Sequence, residues 1–209
     1  MKAKLKPRAT RAAIFQRLGR LAGTGADLLI QNVVDLLDGG AASEAITALK
    51  AYDDKIGGYC GMPLAPVKPD GVYRPLGYIP LLLQNPHPRE MSRYIFDAIG
   101  QHVENLLQRV AFLGFLNSMS DRLFPMGKLV RSMWPVLPRQ LREDLQWFAG
   151  EVYNHAKHSV EADARQNTSE DAHCFDLDEA LAIYLVGRKL AVQLEGWSGK
   201  SLEQLTAEY

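Results

Sequence analysis

The chain has only two cysteines among its 209 residues, Cys60 and Cys174, and neither has a second cysteine nearby. That excludes a disulfide framework and a CxxC metal knuckle, and makes a reducing cytoplasm the expected location. Long hydrophobic runs are also missing. Val110 to Leu116 is far short of the ~18 apolar residues of a membrane span, so no membrane partner is expected. Net charge is absent as well, with 24 basic against 24 acidic residues. Low-complexity stretches, fixed-length repeats and sustained period-two alternation are not found, which removes solenoids and confident β-strands. What remains is a chain with 47% hydrophobic and 23% charged residues, the composition of a folded globular protein.

The balanced charge is unevenly spread. Lys2, Lys4, Lys6, Arg8, Arg11, Arg17 and Arg20 all precede the first acid, Asp27. Arginines interrupt the apolar core that an export signal would need, and the stretch is too poor in serine for a transit peptide. Two readings of this basic arm compete. It contacts a phosphate backbone, or it is the solvated face of a helix packed through Ile14, Leu18 and Leu21.

Helical spacing runs through most of the chain. The apolar positions predict helices near 9–21, 26–37 and 43–56, each ended by glycines, as a helical N-terminal subdomain over residues 1–57. Residues 58–88 hold seven of the eleven prolines, which exclude a long helix there. Val72, Leu76, Ile79 and Leu81 to Leu83 are too apolar for a disordered linker, so this segment is expected to strap across the bundle. Residues 89–209 then carry three long stripes. The first, near 90–117, includes Tyr94, Ile95, Ile99, Val103 and Leu106 and reads as a central helix. A second helix over 139–164 carries Leu141, Leu145, Phe148 and Val152. The third, near 176–195, opens with Asp176 and Glu179 in the spacing of a capping box. The predicted fold is all-α, a mainly antiparallel helical bundle with an N-terminal subdomain and a Pro-rich strap.

Polar groups concentrate on the helix over 139–164. Glu151, Asn154, His155, His158 and Glu161 differ by three or four residues and would share one face of a regular α-helix. Glu151, His155 and His158 could hold a metal ion, with His173 or Asp176 completing the set, and a bound water would then be the nucleophile of a metal-dependent hydrolase. A solvated face is the other reading. His173 beside Cys174 lacks an orienting third group for nucleophilic catalysis. Gly57, Gly58 and Gly61 lack the Lys-Ser/Thr of a phosphate loop. His102 and Glu104 on the first long helix read as packed or exposed groups, and Trp134, Trp147 and Trp197 as core or interface anchors.

The order of these pieces resembles a family. A helix with an internal acid (Ile99-Gly-Gln-His-Val-Glu104), a second containing Tyr153-Asn-His-Ala-Lys-His158, a polar loop, and a helix beginning Phe175-Asp-Leu-Asp-Glu is similar to HEPN-type helical bundles over about residues 89–195. There the second helix often ends in Arg, frequently followed by Asn, with a His a few residues beyond. Asn154 and His158 match the Asn and His, whereas Tyr153 stands where the Arg belongs. The resemblance implies dimerisation and action on RNA without a cofactor. It implies that His158 assists proton transfer beside Asn154, that Tyr153 can donate one hydrogen bond but brings no positive charge, and that the phosphate-holding role is unfilled unless Lys157 or Arg165 supplies it. It therefore favours an interaction module, with RNA or a partner protein as ligand, that is non-catalytic or weakly ribonucleolytic.

Overall fold

The computed structural model describes residues 7–56, 79–114, 125–155 and 175–198, and among them there is no strand. Helix α1, Arg11–Ala22, opens on Thr10, whose hydroxyl accepts from the Ala13 amide at 3.3 Å. It presents Ile14 and Leu18, one turn apart, to the interior. The chain reverses at Gly23 and Gly25, whose φ values of 88° and 94° fall where a side chain would be strained. Helix α2, Ala26–Asp38, buries Ile30, Val33, Val34 and Leu37, and α3, Ala42–Ile56, packs against it. The Tyr52 hydroxyl of α3 donates to the Ala22 carbonyl at 2.7 Å and fixes the end of α1.

Residues 57–78 of the Pro-rich segment lie outside the described residues. Its end forms a short helix, α4 (Ile79–Leu83), followed by a 3₁₀ turn, Pro88–Met91. Pro80 is tolerated because it falls in the first turn, where a backbone donor has no intrahelical partner. Ile79 and Leu83 are buried, and α4 rests on α5 and α3. Helix α5, Ser92–Gly114, buries Ile95, Ile99, Val103, Leu106, Leu107 and Val110. Tyr94, read as part of that stripe, instead lies 57% exposed on the other side of the helix. Helix α6 is Met126–Ser132, α7 is Arg139–Trp147, and α8 is Leu177–Ser198.

Two expectations change. The central position expected of α5 is shared by α8. Every residue from Ala180 to Arg188 is buried, and α8 packs on α1, α2, α3, α5 and α7. A helix apolar on all sides is buried on all sides, and its lack of a single stripe hides that role from a search for amphipathic spacing. The capping box at its start is real in one half: the Asp176 amide donates to Glu179 Oε2 at 3.0 Å.

The second change concerns the helix over 139–164, which is not uniformly α-helical. After α7 the chain runs through a π-helical turn, Phe148–Tyr153, and returns to α geometry at 154–155, the last described residues before 175. In an α-helix, positions five apart diverge by about 140°. In the π-turn Phe148 lies at Gly187 of α8 and Tyr153 at Gly100 of α5. Ile99 and Phe148 close over Gly187 of α8, where a Cβ would stand 2.4 Å from Ile99 Cγ1 and 3.4 Å from Phe148 Cε2. The Tyr153 ring lies on Gly100, where a Cβ would stand 2.1 Å from its Cδ2. The extra residue in the turn is thus matched by two glycines on the neighbouring helices.

Candidate functional site around the π-turn

The π-turn gathers the polar groups that the interior holds. Tyr153 is 3% exposed, and its hydroxyl donates to Glu104 Oε2 at 3.0 Å. The other carboxylate oxygen, Glu104 Oε1, accepts from the Met126 amide at 3.0 Å and so caps α6, where negative charge meets the helix dipole. Glu104 therefore joins α5, α6 and the π-turn. The role expected of Tyr153, a donor to a bound phosphate, does not fit a hydroxyl directed at an interior carboxylate. Tyr153→Phe is expected to lower stability by about 1–3 kcal/mol through loss of this charge-assisted bond, measured by urea unfolding against the wild type.

The other sequence-selected residues separate. Glu151 and Asn154 are half-buried, whereas His155 is buried at 8% exposure. Of the described members of the face read from helical spacing, His155 is therefore interior and not solvated. Lys157, His158, Glu161, Arg165, His173 and Cys174 lie outside the described residues, as do Cys60 and the glycines at 57, 58 and 61. Among the described residues no group of three His, Cys, Asp or Glu side chains is placed to hold a metal ion. The set Glu151, His155 and His158 has one member beyond them.

The arm is the part of the surroundings that sequence reasoning left undivided. Ala9, 2% exposed, donates its amide to the carbonyl of Glu151 in the π-turn at 2.8 Å. Arg8 pairs with Glu179 Oε2 at 3.1 Å and lies over the Phe175 ring, 4.5 Å from its centroid. Phe175 in turn stacks on Phe96 of α5 with centroids 4.7 Å apart. Arg11 grips Asp178 Oδ2 with two nitrogens, at 2.6 and 3.0 Å. On the far side of α1, Arg17 and Arg20 both pair with Asp144 of α7, a carboxylate only 1% exposed. Arg17 also lies 4.1 Å from the Trp147 ring centroid. Burial lowers the Arg17 pKa, and the charges of Asp144 and Glu151 oppose that shift. The arginines of the arm are thus held by acids of α7 and α8, neither a free basic stripe nor a plainly solvated face.

Among the described residues, His102, Glu104, Asp144, His155, Glu179 and Arg188 are buried charged or titratable groups whose positions the sequence did not single out as interior. The acid-poor start of the chain gave one usable signal, since its bases had to face the excess acid of the remainder. No protein-family model, no curated protein and no solved structure matches this chain.

Proposed function

We propose that this protein is a HEPN-like helical interaction module that dimerises and contacts RNA through its basic arm without cleaving it. The observation that carries the non-catalytic reading is the Tyr153 to Glu104 bond. RNA cleavage without metal requires a cation or equivalent donor at the phosphate while charge builds up there. At the position where the resembling family has Arg, this chain has a neutral hydroxyl committed to the interior. The helical architecture and the Asn154 and His158 positions support the family reading. The bases ahead of Asp27 support a polyanionic ligand, although Arg8, Arg11, Arg17 and Arg20 are paired with acids in the fold and a phosphate must compete for them.

The test uses the full chain, freed of metal, and end-labelled single-stranded RNA. The expected result is salt-sensitive retention of intact RNA, with a dimer mass by light scattering, and no cleavage to be altered by His158→Ala. Cleavage abolished by His158→Ala would make the protein a ribonuclease. A monomer that retains no RNA would remove the module reading. Stoichiometric bound metal on elemental analysis would favour the set Glu151, His155 and His158 instead.

A further inference from the structure

We propose that residues 8–11 form a latch on the π-turn and α8 that RNA opens by competing for the same arginines. This deepens the reading of the arm as the RNA contact and rests on it. Three of these four residues attach to the π-turn, Phe175 or α8, and the fourth caps α1. Arg8 reaches Glu179 and Phe175, Ala9 reaches the Glu151 carbonyl, Thr10 caps α1, and Arg11 reaches Asp178. The Ala9 bond is flanked by the two ion pairs, so its geometry depends on both.

The donors of Arg8 and Arg11 that hold carboxylates cannot also hold phosphates. Arg11 holds Asp178 Oδ2 with its Nε and Nη2 donors, so a phosphate taken on that edge of the guanidinium displaces Asp178. The latch opens in order of exposure. The Arg11 side chain is 60% exposed and its pair is weakly held, whereas Glu179 is 3% exposed and its pair with Arg8 gives way second. Release of both frees Ala9 from the π-turn. By linkage, RNA affinity is reduced by the free energy of the closed latch, and weakening the latch raises that affinity by the same factor.

Removing the competing acids tests this directly, because salt would weaken the latch and RNA binding together. Asp178→Asn with Glu179→Gln deletes both charges while Gln keeps the cap on Asp176. Asp178→Asn alone serves as a milder variant on the exposed side. The expected result is that poly(U) binds the double variant about fivefold tighter than the wild type. In the wild type, poly(U) should accelerate hydrogen exchange at the Ala9 amide. Arg8→Ala with Arg11→Ala should exchange fast at Ala9 without RNA and retain less poly(U). Equal affinities in wild type and variants, with Ala9 exchange unchanged by poly(U), overturn the latch and leave RNA contact standing. No poly(U) retention by any of these proteins overturns the latch and the RNA reading together.

Discussion

Gly100→Ala is expected to destabilise the protein by about 3–5 kcal/mol, while Gly19→Ala stabilises it by about 0.5–1 kcal/mol. Both glycines lie inside helices, so backbone propensity favours alanine at each. At Gly19 nothing stands within 4 Å of the added methyl group. At Gly100 the methyl would fall 2.1 Å from Tyr153 Cδ2, 2.4 Å from Cε2 and 3.0 Å from Cγ, so it meets the body of the ring and not a movable tip. The ring cannot swing away cheaply because its hydroxyl is bound to Glu104. The substitution therefore adds overpacking to the loss of a buried hydrogen bond. For a chain of this size the melting temperature should fall by roughly 10 °C, against a rise of a few degrees for Gly19→Ala. The double variant Gly100→Ala, Tyr153→Ala should be more stable than the sum of the single costs, since the second change removes the ring that the first one strikes. Additive costs, or a melting temperature for Gly100→Ala near that of the wild type, would mean that the π-turn does not depend on this contact.

The same contact explains how far the sequence could be read. Helices α1, α2 and α3 were legible because their apolar stripes are local and their ends carry glycine. The start of α8 was legible because Asp176 and Glu179 act within one turn. The π-turn was not. Gly100 and Gly187, which leave room for Tyr153 and Phe148, lie on helices distant in sequence, and the spacing of Leu141, Leu145, Phe148 and Val152 fits an unbroken α-helix equally well. The burial of His155 is likewise not visible in the helical spacing. The full burial of α8 from Ala180 to Arg188 leaves no amphipathic spacing in that part of its sequence. Ala180 to Gly187 contains no charged residue, and that uniformity was the signal of full burial. Composition showed that the arm is basic, but its partners Asp144, Asp178 and Glu179 come together only in the fold.

Lowering the pH from 7 to 4 should cost the wild type about 3 kcal/mol more than it costs His102→Gln. His102 lies on α5, two residues before Glu104, and is 4% exposed. Burial lowers its pKa from 6.5 to about 4, because the imidazolium loses its hydration in the interior. In the unfolded chain the imidazole takes up its proton below about pH 6.5. Between that pH and about 4 the unfolded state binds a proton that the folded state does not, so stability rises with pH across this window and falls as the solution is acidified. Above pH 6.5 both states hold a neutral ring, and the contribution is flat. A difference of about 2.5 units corresponds to about 3 kcal/mol at full development. Urea unfolding of both proteins at several pH values separates this from carboxylate protonation, which the two share. Parallel stability curves for the two proteins would show that His102 is protonated in the folded state and that its surroundings are not dry. If the curves converge toward pH 4, acid acts on α5 two residues from Glu104, the carboxylate that ties Tyr153 to α6.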